Sequence, residues 1–226
     1  MKAIIRPGYD CPETKMLIIG TKKKTIQTRI SVKEMIIKKE DPTFGKMQNI
    51  KRRFFALRNG DIAAVLRKSG SPYRIIFGLQ LPQIVEVASA TGTDAEMAES
   101  LWANDSTRES RLMAPMVADR ESFTPAGAKR WIASLMSVEE TDILCHRLLR
   151  NLPFASELVE EFSADGNDEM RRYLALRLAR NLVYAQPRLA EKVAREELAR
   201  NAAMTKRLAA ETLDEAEFIL DGEENK

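Results

Sequence analysis

The chain has 226 residues, 44% of them hydrophobic, and carries 36 Lys/Arg against 33 Asp/Glu, which is enough length and apolar content for one ordinary domain with a real core. Its two cysteines, Cys11 and Cys145, are too few and too far apart for a disulfide framework or a cysteine metal cluster and fit a reducing, cytoplasmic setting. No secretory signal is visible and no apolar run approaches the roughly 18 residues of a membrane span, so no membrane partner is expected.

The formal charge of +3 is unevenly distributed: residues 1–46 hold eleven Lys/Arg against five Asp/Glu, leaving the remainder slightly acidic. Nine of those eleven are lysines, whereas residues 47–226 use nineteen arginines and six lysines. Pro7, Gly8, Pro12 and Gly20 interrupt any helical period there. Residues 1–46 therefore read as a basic, poorly ordered extension, either a DNA-binding arm or sequence upstream of a true start at Met47. Residues 47–226 read as one helical domain.

Helices are expected over 48–58, 60–68, 82–91, 94–103, 106–118, 125–135, 138–152, 154–164, 168–185, 188–200 and 202–219. Pro82, Pro125 and Pro187 suit first helical positions. Thr93 with Glu96, Ser106 with Glu109 and Ser137 with Glu140 have capping-box spacing. Helix starts near 106, 138, 168 and 202 recur with a partner helix between each pair. This rhythm predicts an all-α, HEAT-like or armadillo-like α-solenoid of antiparallel helix pairs, somewhat tighter than the usual ~40–47 residues per unit. An irregular helical bundle is the competing architecture.

The most suggestive polar group is in SVEETDILCHRLLR, residues 137–150. Asp142 and His146 are four apart and share a helical face, while Ile143, Leu144, Leu148 and Leu149 supply a face to bury. A carboxylate early in a helix is also favoured simply by the helix dipole. His146 is placed to pair with Asp142 or to meet a phosphate. Asp142, Cys145 and His146 make a poor metal set, because Cys145 is off the shared face. Trp102 and Trp131 lie in apolar helical patterns suited to a core; of the two, Trp131, beside Lys129 and Arg130, is the candidate to reach a cleft. Arg171, Arg172, Arg177, Arg180, Arg188, Lys192, Arg195 and Arg200 form a basic stripe, read either as a solvated face or as a DNA-backbone surface.

Three segments together resemble the AlkC/AlkD-type DNA alkylation repair family over about residues 48–200. They are Phe77-Gly78-Leu79-Gln80-Leu81-Pro82, then Leu101-Trp102 followed by Arg108-Glu109, and then Asp142 in the next repeat. The resemblance implies a concave helical superhelix that cradles duplex DNA and excises purines made cationic by alkylation at N3 or N7. It makes Asp142 the catalytic carboxylate and Arg172 a phosphate contact in DEMRRYLALRLARNL; Arg171, Trp131 and His146 are further DNA-contacting candidates from their positions in the sequence. Such chemistry needs no metal or organic cofactor, and a monomer is expected. Val138 stands where the family carries a tryptophan, so a second reading keeps the fold as a DNA- or protein-binding scaffold without catalysis.

Overall fold

Side-chain oxygens set where five of the helices begin. Asn59 accepts from the amides of Asp61 and Ile62, Asp94 from Met97, Thr124 from Gly127, Ser137 from Glu140 and Asp168 from Arg171, each satisfying donors that a helix start leaves open. The computed structural model describes residues 45–166 and 168–224, within a unit spanning Phe44–Lys226. The expectation for residues 1–46 therefore lies outside the described residues, apart from Gly45 and Lys46.

Eleven α-helices are found among the described residues: α1 Lys46–Leu57, α2 Gly60–Lys68, α3 Leu81–Thr91, α4 Ala95–Ala103, α5 Arg108–Val117, α6 Pro125–Ala133, α7 Val138–Arg147, α8 Ala155–Ser163, α9 Glu169–Asn181, α10 Pro187–Arg200 and α11 Lys206–Glu224. A short 3-10 turn, Leu149–Asn151, follows α7. The described residues contain no strand, only an isolated bridge between Ile75 and Thr107.

All eleven expected helices are present, and the differences are at their ends. Asp94, not Thr93, caps α4. α5 starts one residue later than the Ser106–Glu109 spacing predicts, with Thr107 at the cap position, because the Glu109 carboxylate is committed elsewhere. At α7 the Ser137 hydroxyl caps as expected, but Glu140 returns its carboxylate to the amide of Met136 at 3.0 Å rather than to that of Ser137.

The helices form an α-solenoid of two layers. α4 packs on α5, α8 on α9 and α10 on α11, while α3, α5, α7, α9 and α11 pack successively side by side. The repeat is written in the polar contacts. Glu109 meets Phe77, Arg108 meets Glu139, Asp142 meets Tyr173, Ser156 meets Gln186, and Arg180 meets Glu211, at sequence separations of 30–32. A constant offset means that successive odd-numbered helices run parallel, one repeat apart. Between the layers Leu144, Leu148, Leu149, Leu174, Leu176 and Leu178 are fully buried, each worth about 1.5–3 kcal/mol of transfer free energy.

One lock fixes the early repeats. Gly78 has φ +79°, and a Cβ there would sit 2.1 Å from the Asn59 carbonyl oxygen, so only glycine lets the 77–79 turn lie against the start of α2. The three successive amides of Phe77, Gly78 and Leu79 all donate to the buried Glu109 carboxylate, at 3.1, 3.0 and 3.3 Å. Arg108 completes the lock, donating to Glu109 and the Leu79 carbonyl and pairing with Glu139 of α7.

Candidate functional site

Asp142 lies on the second turn of α7, whose start is held from beneath. The buried Glu140 carboxylate accepts from the Tyr73 hydroxyl at 3.0 Å and pairs with Arg111. Burial pushes the Glu140 carboxyl above its ordinary value, and the Arg111 charge pulls it back. This anchor joins the 69–80 loop, α5 and α7, and so fixes where Asp142 stands.

The Asp142 side chain is 32% exposed. Its Oδ1 accepts from the Tyr173 hydroxyl at 2.9 Å and lies 3.0 Å from Nε of Arg177, a charge contact whose N–H is not aligned for a hydrogen bond. No described residue donates to Oδ2, and none accepts from the terminal nitrogens of Arg177. Tyr173 and Arg177 are four apart on α9, so both face α7. Burial, then the Asp142 charge, pushes the Tyr173 phenol well above its ordinary value, which keeps it a protonated donor. The arrangement leaves a half-buried carboxylate held by one oxygen, its other oxygen open, beside a guanidinium with open donors.

His146 lies one turn beyond Asp142 and is exposed. Burial and the charges of Arg150, Arg147 and Arg177 hold its imidazole below the ordinary value, so it is neutral at neutral pH.

Three other expected contacts lie away from Asp142. Arg172 is only 8% exposed and spends its guanidinium on Glu197 and on the carbonyls of Asp165 and Gly166. It is five residues from Arg177, about 140° round the helix, and so meets different neighbours. Arg171 pairs with Asp165 and Asp168, both at 3.2 Å. Trp131 is wholly buried, stacked on Trp102 with ring centroids 4.2 Å apart, edged by Phe123 and donating to Glu99 at 3.2 Å. The Arg111 guanidinium covers Trp102 at 3.6 Å. Both tryptophans are therefore core residues, and a DNA-contacting role for Trp131 is incompatible with its burial.

The basic stripe also reads differently in space. Arg180 pairs with Glu211 and Glu215, Arg195 with Glu191 and Glu217, and Arg200 with Glu197. Most of the stripe joins one helix to the next. Tyr173 was not singled out from the sequence, and Arg177 appeared only within the stripe. The signal that finds both is the repeat offset, since Asp142 plus 31 is Tyr173 and Arg177 follows four residues later.

A family model described as DNA alkylation repair enzyme matches residues 50–217. The chain belongs to that family. No curated protein and no solved structure matches it. Membership places the chain in DNA alkylation repair, as the sequence resemblance implies, and the match spans nearly the whole solenoid, α7 and α9 included. No helix among the described residues is long and apolar enough to cross a membrane. Among the described residues no three His, Cys, Asp or Glu side chains are grouped to hold a metal ion, and Cys145 is fully buried with its thiol directed at the Leu174 carbonyl.

Proposed function

We propose that this member of the DNA alkylation repair family is a DNA glycosylase that releases purines alkylated at N3 or N7 from duplex DNA, with Asp142 as the catalytic carboxylate. Alkylation gives the base a formal positive charge. When the C1′–N9 bond breaks, its electron pair neutralises the base and leaves oxocarbenium character on the sugar. Water then adds to C1′ and loses a proton, yielding an abasic site and a neutral alkylpurine.

The observation that carries this reading is the half-exposed Asp142 carboxylate with one oxygen held and the other open. A fixed carboxylate beside C1′ stabilises the developing cation without reorganising, and its open oxygen can orient the attacking water. Tyr173 positions the group. Arg177, rather than Arg172, is the arginine suited to hold the phosphate next to the lesion, since its terminal nitrogens have no described partner. Phe218, 81% exposed, lies on the face of α11 that carries Glu211 and Glu215, and offers ring surface to pack against DNA.

The test is release of base from duplex DNA carrying N7-methylguanine. The wild-type protein is expected to release it, and Asp142→Asn to lose at least ~100-fold of the rate, the scale on which losing one preorganised electrostatic group acts. Equal release by both proteins would remove Asp142 from its role. A second reading, a scaffold that binds DNA or protein without excision, is favoured by the commitment of so many arginines to carboxylates, and release by neither protein would establish it over the first.

A further inference from the structure

Three arginines, Arg120, Arg147 and Arg150, gather away from the Asp142 carboxylate, around the C-terminal end of α7. Ten arginines among the described residues, from Arg108 to Arg207, have a carboxylate within ion-pairing distance. Arg120, Arg147 and Arg150 have none, as also Arg58, Arg67, Arg74 and Arg188 elsewhere in the solenoid, but the three stand together at one helix end. Two of these three, Arg120 and Arg147, line one notch of 250 Å³ with the Ser89 and Thr93 hydroxyl residues and Met116.

The notch is built from three odd-numbered helices. Ser89, Gly92 and Thr93 come from the end of α3 and the turn after it, Met116 from the last turn of α5, and Arg147 from the last residue of α7. Asp94 N donates to the Val117 carbonyl at 2.8 Å, which ties the turn between α3 and α4 to the end of α5. Arg120 Nη2 donates to the Arg147 carbonyl at 3.2 Å, fixing the first guanidinium over the end of α7. Nε of Arg147 is buried and has no hydrogen-bond partner among the described residues.

A cation at a helix C-terminus is favoured by the dipole alone, and that accounts for Arg120 capping the last carbonyl. It does not account for a second guanidinium in the same notch whose terminal nitrogens have no partner among the described residues. Two forked guanidiniums with hydroxyl groups beside them match the tetrahedral oxygens of a phosphate. Arg147 is five residues beyond Asp142, about 7.5 Å along the same helix and about 140° round it, so one rigid element carries the notch on one side and the carboxylate on another.

We infer that the notch between the C-terminal ends of α3, α5 and α7 is a phosphodiester-binding site, in which Arg120 and Arg147 grip the backbone of the duplex whose alkylated nucleotide faces Asp142. The inference rests on the proposed DNA reading. It makes this notch, rather than the paired stripe of α9 and α10, the place where the acidic body of the protein holds a polyanion.

The experiment is fluorescence anisotropy of a labelled, unmodified duplex over a salt series, with circular dichroism confirming the fold of each variant. Neutralising the notch as Arg120→Gln/Arg147→Gln should flatten the plot of log affinity against log salt by about 0.9, the value of one lost phosphate contact. Arg120→Lys/Arg147→Lys, which keeps both charges, should restore most of the slope. Arg195→Gln, removing an arginine already paired with Glu191 and Glu217, should leave it unchanged. A wild-type slope in the folded Gln variant overturns the notch and leaves the excision reading standing. A flattened slope together with no base release by the wild-type protein upholds the notch and sinks excision. No duplex binding by the wild-type protein at low salt overturns both.

Discussion

Replacing Glu109 by glutamine should cost the fold about 3–5 kcal/mol, the usual toll for breaking one side of a buried ion pair. Glu109 is fully buried; Oε1 accepts from Gly78 N, Leu79 N and Arg108 Nη1 at 3.0, 3.3 and 3.1 Å, and Oε2 accepts from Phe77 N at 3.1 Å. Glutamine has the same shape but one acceptor oxygen. Its best orientation keeps that oxygen on the Oε1 side and turns an NH2 group against the Phe77 amide, leaving a buried donor without a partner at ~1–3 kcal/mol. The charge opposite Arg108 also disappears. Arg108 keeps Glu139 and the Leu79 carbonyl, which holds the total within that range rather than above it. Urea unfolding followed by far-UV circular dichroism measures the loss, with Glu191→Gln as reference, because its exposed Arg195 partner makes that pair worth under ~1 kcal/mol. The two variants should differ by several-fold in lost stability at unchanged m-value. A Glu109→Gln cost of about 1 kcal/mol or less would refute the claim that this carboxylate locks the turn.

Tyr173→Phe removes the aligned hydrogen bond to Asp142 while leaving Arg177 in place, and base release should fall about tenfold, the equivalent of ~1.4 kcal/mol, with duplex affinity unchanged. An equal loss in affinity would show that Tyr173 acts on binding rather than on the carboxylate. His146 has its folded value held below the ordinary 6.5, so below neutral pH the unfolded chain binds its proton first. Its contribution to stability is therefore fully present above about pH 6.5 and is lost as pH falls from there toward the lower folded value. His146→Asn should flatten that part of the stability–pH curve in urea titrations at successive pH values, and an unchanged slope would contradict the assignment.

The eleven helices were legible from their apolar periodicity and from several local boundary signals: Ser137 caps as its spacing predicts, and prolines stand at first-turn positions of α3, α6 and α10, while Asp94 rather than Thr93 caps α4. What misled was side-chain commitment. Glu109 has the spacing of a capping residue, yet it reaches across a repeat to the 77–79 turn. Within DEMRRYLALRLARNL the arginines look equivalent, and only their angular position decides that Arg172 turns to Glu197 while Arg177 turns to Asp142. Trp131 has basic neighbours at 129 and 130, but those reach outward to Glu161 and Glu99 while the ring turns into the core. The sequence carries the periodicity of α6 without saying which of its residues the neighbouring repeat will cover. The position of Asp142 on its helix was legible from the capped start of α7, whereas its neighbours Tyr173 and Arg177 were not, because they come from the next repeat.

The same commitment explains how a slightly acidic solenoid can serve a polyanionic substrate. Arginine and glutamate on successive helices neutralise each other across the repeat, as in Arg108–Glu139, Arg172–Glu197 and Arg180–Glu211, so the bulk of the charge builds the stack and exerts little field outside it. On the proposed reading, attraction for DNA is then set by the cations left unpaired, and their position counts more than their number. Arg120, Arg147 and Arg150 surround the end of the helix that carries Asp142, and Arg177 stands beside the carboxylate itself. A phosphate backbone held there would bring its sugar toward a fixed carboxylate on the same rigid helix, while the paired arginines of α10 would offer it nothing. If the proposed reading holds, affinity and chemistry both fall on α7 and its immediate neighbours, and both should fail together when the Glu140 anchor beneath that helix is broken.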